Sequence, residues 1–336
     1  MKTIKETEYV YASTRVKAAD GKGTSKERIA SFAEAAYRDA LTAAIIDSGL
    51  VPDEARGAVD SPADAADAAL RGAADLLVSS VPDPDVYDFL FYKYDCCNIK
   101  TALKESITSE HDPSRYFTCG TVPADVVISA VSSRDYSLLP PSMGKRAEEA
   151  RNTYETTAEA RCIDLLLDVG CFEDASRSAE ESGVPFFREY VSLLADAANY
   201  SAFLRISSSG ASPEAVSTLV KRAVVPGGSA PAEVFGSAAE AETHAERIDA
   251  LLMKTDRVAY RDIITSSDDP GAVSEAFDRL ICELVRTLDF KAFGPEIPAA
   301  FFIKREAEVR AVRIAASMIG AGKSADEIKK RVGLEY

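Results

Sequence analysis

Two pairs of polar side chains have a spacing that could support chemistry on a helix. Asp95 and Asn98 are three positions apart, as are Asp196 and Asn199, so each pair shares one helical face. An aspartate there could act as a general acid or base. A carboxylate coupled to an amide is better suited to hydrogen bonding between helices, because an amide both donates and accepts. We interpret both pairs as structural and keep a carboxylate-based active site as the alternative.

Recognised catalytic and ligand-binding motifs are missing from the sequence. The two histidines, His111 and His244, have no cysteine, histidine or carboxylate at the spacing of HExxH or paired CxxC zinc sites. No nucleophile elbow, dinucleotide loop or kinase loop signature occurs either. We therefore predict that the protein has no catalytic residue, no metal and no cofactor.

One glycine-rich stretch ends like a phosphate-binding loop. Gly320–Ser324 reads GAGKS, but Ser317 stands where a Walker A motif requires its first glycine. Ser324 is followed at the third position by Glu327, which is typical of the start of a helix. The stretch therefore predicts a helix cap and not a nucleotide site.

The charge balance limits the possible partners. The net charge is -15, which repels nucleic-acid phosphates and anionic lipid headgroups. Residues 301–336 contain eight Lys or Arg and five Asp or Glu, a net +3, so the first 300 residues carry -18. This basic end indicates either oriented docking to an acidic partner or a solvated helix face with uneven charge.

The sequence predicts a cytoplasmic protein. Met1–Glu6 contains no apolar run typical of a secretion signal, and no stretch approaches 18 consecutive apolar residues. We expect membrane association to be peripheral, through another protein, without direct insertion. Several of the six cysteines lie in apolar stretches, where a thiol packs as a small hydrophobe, and none has CxxC spacing, so we predict no disulfide framework and interpret Cys96 and Cys97 as core residues. The six are Cys96, Cys97, Cys119, Cys162, Cys171 and Cys282.

Helices must position these side chains. Apolar residues recur at spacings of three and four, as in Phe187, Val191, Leu194 and Ala198 after Pro185. Alternating strand patterns are scarce, so we predict an all-α fold. The other predicted helices are Ser25–Ser48, Ser61–Ser79, Arg146–Val169, Pro213–Ala223, Ala238–Met253, Gly271–Leu288 and Ile297–Ile319.

The sequence also repeats. Tyr94–Leu103 aligns with Ala195–Leu204, 101 positions later, and more weakly with Arg305–Ile314. In this third copy Ala307 and Arg310 take the Asp and Asn positions. A unit of about 100 residues predicts three helical repeats, which we place at residues 1–125, 126–230 and 231–336.

Aromatic residues cluster at the start of each repeated helix. Helical spacing favours core anchors over a binding surface. The clusters are Tyr87, Phe89, Phe91, Tyr92 and Tyr94, then Phe186, Phe187 and Tyr190, then Phe301 and Phe302.

These segments together resemble the C-subunit family of V-type and A-type ATPases, whose eukaryotic relatives are the d subunits of the V-ATPases. The resemblance covers the full length in order. The segments that carry it are Tyr9–Lys17, Tyr94–Lys100, Asp196–Asn199, Lys304–Arg310 and the closing Tyr336.

The resemblance implies an all-helical funnel of three similar bundles with approximate threefold pseudo-symmetry. It also implies a mechanical role in a rotary ATPase, with one copy per complex. The funnel would join the central stalk to the membrane proteolipid ring, so that proton or sodium transport stays coupled to ATP hydrolysis or synthesis. Polar contacts within or lining such a funnel are predicted at Asp95, Asn98, Asp196, Asn199, Lys304, Arg305, Arg310 and Arg313.

Two other functions fit an all-helical chain. One is a scaffold of helix pairs that binds peptides or other proteins, although a repeat near 100 residues is long for the units of about 34 to 47 residues in such scaffolds. The other is a helical enzyme with a carboxylate site, for which the sequence offers no recognisable constellation.

Overall fold

The structure is a computed structural model that describes residues 4–20, 31–35, 37–108, 110–253, 260, 262–263 and 269–332. These residues contain helices and turns but no strand. The predicted all-α fold class is confirmed. The division into three repeats stays a prediction.

The helices follow one another with short connections. In chain order they are α1 Val10–Asp20, α2 Arg38–Asp47, α3 Pro62–Ser80, α4 Tyr92–Thr108, α5 Ala124–Ser133, α6 Pro141–Thr157, α7 Arg161–Ser182, α8 Pro185–Ser207, α9 Pro213–Ala223, α10 Ala232–Ala239, α11 His244–Leu252, α12 Pro270–Arg286, α13 Glu296–Gly320 and α14 Ala325–Val332. Shorter 3-10 helices are Glu6–Tyr9, Asp53–Ala58, Pro84–Leu90 and Pro113–Arg115.

The described residues divide into two compact units. One contains residues 88–284, and the other combines residues 4–87 with 285–332. The core of the first unit begins with apolar side chains from α4 to α7, including Ile99, Val127 and Leu167. It continues through an aromatic cluster in which the ring centroids of Tyr200 and Phe235 lie 5.2 Å apart.

The second unit is built around α13, which packs against α1 and α3. Its core includes two buried tyrosines, Tyr9 and Tyr87, with ring centroids 6.4 Å apart. The Tyr87 hydroxyl donates to the Pro295 carbonyl at 2.8 Å. Burial raises the pKa of Tyr9 to about 12, so its hydroxyl stays protonated at neutral pH.

The aromatic clusters serve the core, as the sequence predicts. Phe89, Tyr190 and Phe301 each lie nine positions before the repeat position held by Asn98, Asn199 or Arg310. All three are buried, with exposures of 4%, 2% and 5%. Equivalent positions of the aligned segments therefore carry equivalent packing roles.

Several helix boundaries agree closely with the sequence. Pro213–Ala223 is helical over its predicted length, and α3, α12 and α13 match their predicted segments within two residues. The segment Ser25–Ser48 is helical at residues 31–32 and again from Arg38, but residues 33–35 are not helical. Residues 21–30 and 36 lie outside the described residues.

The prediction of one helix over Arg146–Val169 is wrong. The chain breaks after Thr157, and Ala158 takes a left-handed conformation with φ 58°. The break lets α6 and α7 pack against each other and bury Ala147, Ala150 and Ile163 in one cluster. Apolar periodicity continues on both sides of the turn, so the pattern alone did not indicate it.

The prediction of one helix over Ala238–Met253 is also wrong. Helix α10 ends at Ala239, and α11 starts at His244 behind a capping box. Thr243 Oγ1 accepts from the Glu246 N–H at 3.3 Å, and the Glu246 carboxylate accepts from the Thr243 N–H at 3.0 Å. A threonine three positions before a glutamate is the sequence signal for this start.

Replacing Thr243 with alanine is expected to lower the free energy of unfolding by about 1 kcal/mol, because the first turn of α11 loses its side-chain acceptor. Urea denaturation followed by circular dichroism would measure it. The matched control is Thr218→Ala, since Thr218 lies exposed within α9 and donates only to the Glu214 carbonyl. Equal losses in the two variants would contradict the capping role.

Candidate functional site: two buried aspartate–asparagine clamps

The amide of Asn98 holds the backbone of a distant loop. Asn98 projects from α4 and is fully buried. Its Oδ1 accepts from the Phe117 N–H at 2.8 Å, and its Nδ2 donates to the Phe117 carbonyl at 2.9 Å. One side chain thus satisfies both backbone groups of one loop residue, which would otherwise be costly to bury.

Asp95, one turn earlier, holds the same loop further along. Its carboxylate accepts from the Thr121 N–H at 3.0 Å, the Thr121 hydroxyl at 2.6 Å and the Val122 N–H at 3.0 Å. Burial raises the pKa of Asp95, and the hydrogen bonds from Thr121 and Val122 oppose that shift. The loop then enters α5 at Ala124. Asp95 and Asn98 with residues 117–122 form the first clamp.

The second clamp has the same construction on α8. Asn199 Oδ1 accepts from the Val225 N–H at 2.7 Å, and its Nδ2 donates to the Val225 carbonyl at 2.9 Å. Asp196 accepts from the Ser229 N–H at 2.8 Å and from the Ser229 hydroxyl at 3.1 Å. It also accepts from the Tyr260 hydroxyl at 2.7 Å. Asp196 and Asn199 with residues 225–229 form the second clamp.

The two loops match in detail. In each, the residue held by asparagine lies four positions before a hydroxyl residue held by aspartate, and a glycine precedes that hydroxyl residue. A Cβ on Gly120 would lie 2.2 Å from Asp95 Oδ1, and one on Gly228 would lie 2.6 Å from Asp196 Oδ1. The carboxylates therefore occupy space that only glycine leaves open.

This geometry defines what the pairs can do. All four side chains are fully buried, and their hydrogen bonds go to loop groups, with Tyr260 added in the second clamp. The bonds run from helix to loop, whereas the sequence interpretation placed them between helices. A buried carboxylate that already accepts hydrogen bonds from several donors is suited to a structural role.

The third copy of the motif is different. Ala307 is buried but carries no acceptor, and Arg310 is exposed. Arg305 is 7% exposed; its guanidinium contacts Glu308 at 2.7 Å and lies over the Phe301 ring. An ion pair on α13 is thus found in the copy that lacks the aspartate.

The other basic candidates make surface ion pairs within the second unit. Lys304 contacts Asp20 at 3.3 Å, and Arg313 contacts Asp67 at 2.7 Å. These pairs connect α13 to α1 and α3. The closing Tyr336 lies outside the described residues.

A further buried carboxylate, Asp174, was not predicted from the sequence. Asp174 on α7 accepts from the Ser142 and Met143 N–H groups at 3.0 and 2.9 Å, and also pairs with Arg177. It caps the start of α6, whose own N-cap residue, Pro140, provides no side-chain cap. Asp174 lies 32 positions after Ser142 and reaches it only because α6 packs against α7. Residue spacing in the sequence therefore gave no signal for this contact.

The remaining reactive side chains form no metal cluster. The six cysteines, all of them among the described residues, form no disulfide. Cys96 is buried, but Cys97 is exposed, so its interpretation as a core residue is wrong. His111 contacts Glu105 at 2.8 Å. Over the part of the chain that the structure describes, no three His, Cys, Asp or Glu residues could hold a metal ion.

The predicted cap at the glycine-rich stretch is confirmed. Ser324 Oγ accepts from the Glu327 N–H at 3.4 Å, and the Glu327 carboxylate accepts from the Ser324 N–H at 3.0 Å, at the start of α14. Hydrogen bonds from Ser324 and the contact with Lys323 lower the pKa of Glu327 to about 2. Within the described helices, none has the length and apolar character to cross a membrane.

The fold and the clamps define a class: an all-α protein in which repeated Asp/Asn pairs fasten loops to helices. A family model described as ATP synthase (C/AC39) subunit matches residues 49–331, so the chain belongs to this family. The match includes both clamps and the third copy of the motif.

Curated relatives match along nearly the whole chain. The A-type ATP synthase C subunit of Thermococcus kodakarensis is 23% identical over 350 residues, covering 98% of this chain and 91% of the relative. The proteins of the same name from Thermococcus onnurineus and Desulfurococcus sp. are 23% and 22% identical, with similar coverage.

Proposed function

We propose that this protein is a non-catalytic subunit of the central rotor of an A- or V-type ATPase. It would connect the central stalk to the membrane proteolipid ring, on the cytoplasmic side, and keep proton or sodium transport coupled to ATP hydrolysis or synthesis. The observation that carries the proposal is the similarity over 98% of the chain to proteins named as C subunits of A-type ATP synthases.

The two clamps support a mechanical role. A part that transmits torque must hold its helices and loops in fixed relation, and buried polar groups with all partners in place favour one conformation. In the clamps, residues 117–122 and 225–229 are hydrogen-bonded to buried side chains of α4 and α8. Their carboxylates and amides are thereby committed to the fold.

The proposal includes three helical repeats, residues 1–125, 126–230 and 231–336, forming a funnel. Support comes from the equivalence of the two clamps and from the buried aromatic residues at the same position in all three aligned segments. Exposed Arg310 and the basic residues Lys304 and Arg313 on α13 are proposed contacts with the other rotor subunits.

Association with the stalk tests this proposal. The purified full chain, mixed with the stalk subunits of its own complex, is expected to co-elute with them in size-exclusion chromatography as one species. The control mixes the chain with the catalytic head prepared without the stalk, and separate elution is expected. Separate elution from the stalk subunits, at concentrations where the other rotor subunits assemble, would contradict the proposed role.

A further inference from the structure

A large apolar groove lies within the first unit, and Val225 of the second clamp forms part of its lining. Its volume is about 820 Å³, and its walls come mainly from α7, α8 and α9. Half-buried hydrophobic side chains face it from each wall, namely Leu165, Phe172, Ile206 and Leu219. A half-buried leucine or phenylalanine is ordinary alone, but here several converge on one concave surface.

The shape of the groove suits a helix. Along α8 the lining extends from Ala197 to Ile206, a distance of about 14 Å at the helical rise, or between two and three turns. Three small, half-buried residues lie there, so the backbone of a bound helix could approach α8 closely. They are Ala197, Ala198 and Ser201. The described residues of the unit contain no strand, which leaves helix-in-groove binding as the fitting mode for a peptide segment.

The charges on the rim select the partner. Both aspartates at the groove are already paired: Asp168 with Lys100 and Asp164 with Lys104, each at 2.6 Å. Arg161 and Arg205, which also line the groove, are exposed and form no ion pair with any described residue. The rim is thus left with two uncompensated positive charges, in a chain whose net charge is -15.

We propose that this groove binds an amphipathic helix of a partner protein, with an apolar face of about two to three turns and acidic residues on its flanks. The apolar face would cover the half-buried side chains of α7, α8 and α9, and the acidic flanks would meet Arg161 and Arg205. Charge complementarity of this kind sets partner choice and orientation. The inference rests on the groove itself and does not require the proposed function.

A defined peptide tests the groove. The probe is a stapled, fluorescein-labelled helix of 14 residues with a leucine and alanine face and glutamate flanks, added to the full chain and followed by fluorescence anisotropy. Saturable binding that weakens as salt is raised is expected, because the rim charges are exposed. The same peptide with lysine flanks is expected to bind at least tenfold more weakly.

Variants locate the binding. The double variant Arg161→Glu with Arg205→Glu is expected to weaken binding of the glutamate peptide at least tenfold and to strengthen binding of the lysine peptide. Ala198→Trp, which fills the groove without changing charge, is expected to abolish binding of both. The matched control is Arg188→Glu, an exposed arginine of the same helix that does not line this groove, and it is expected to leave binding unchanged.

Several outcomes would overturn the proposal. They are no binding of the glutamate peptide to the folded chain, equal binding of the two peptides, and binding that Ala198→Trp and the double charge reversal leave unchanged. The proposal would also be overturned if the chain self-associated as its concentration rose and if these variants abolished that self-association. The groove would then be assigned to a second copy of the chain. Circular dichroism melting of each variant separates lost binding from lost folding.

Discussion

Replacing Asp196 with alanine is expected to lower the free energy of unfolding by about 2 to 4 kcal/mol, because hydrogen bonds to a charged group contribute about 1.5 to 3 kcal/mol each and water can replace only some of them. The variant leaves the Ser229 N–H, the Ser229 hydroxyl and the Tyr260 hydroxyl without their shared acceptor. The Tyr260 hydroxyl is buried, so losing its acceptor is costly, whereas Ser229 is exposed and its groups can bond to water. The first clamp is expected to respond similarly to Asp95→Ala, because Thr121 and Val122 lose the same acceptor.

Urea denaturation of the full chain measures this effect, and Asp164→Ala is the matched control. Asp164 also projects from a helix of the first unit and is ion-paired, but its side chain is 43% exposed. A surface pair is worth at most about 1 kcal/mol, so the control is expected to stay close to the wild type. An Asp196→Ala loss no larger than that of Asp164→Ala would show that the second clamp does not stabilise the fold.

The second large effect is expected at the clamp glycines. Gly228→Ala places a methyl group 2.6 Å from Asp196 Oδ1 and 3.1 Å from Asn199 Nδ2, so either the loop or the carboxylate must move. Overpacking of this kind costs about 1 to 3 kcal/mol, and displacing the clamp adds to it. Gly120→Ala is expected to be at least as costly, since its methyl group would meet Asp95 Oδ1 at 2.2 Å.

A double variant gives the sharper form of this prediction. In Asp196→Ala with Gly228→Ala the clashing oxygen is gone, so the loss of stability should be clearly smaller than the sum of the two single losses. Gly57→Ala is the control, because a Cβ there meets nothing within 4 Å, and a change below about 1 kcal/mol is expected. Additive losses in the double variant would mean that Gly228 acts independently of Asp196.

Residue spacing is informative where the structure it predicts is local. Helical periodicity predicted most of the long helices, and the i, i+3 spacing of Asp and Asn correctly placed each pair on one helical face, because both are local properties of one helix. The turn at Ala158 was missed because nothing local forbids a helix there; packing of α6 against α7 requires the reversal.

The loop partners of the clamps could not be predicted from the sequence for a different reason. Asn98 holds a residue 19 positions later and Asn199 one 26 positions later, so no fixed spacing relates helix to loop. The usable signal was a glycine followed by a hydroxyl residue, Gly120-Thr121 and Gly228-Ser229. That dipeptide is common in turns, and it becomes specific only once the helix that faces it is known.

The most direct test of a mechanical coupling role is the number of ions transported per ATP hydrolysed by the complex in sealed vesicles, with and without this protein. With the protein present, ATP hydrolysis should drive ion uptake. Without it, hydrolysis by the catalytic head should continue while uptake falls to background, and adding back the purified chain should restore uptake. Undiminished ATP-driven uptake in vesicles that lack the protein would contradict the account.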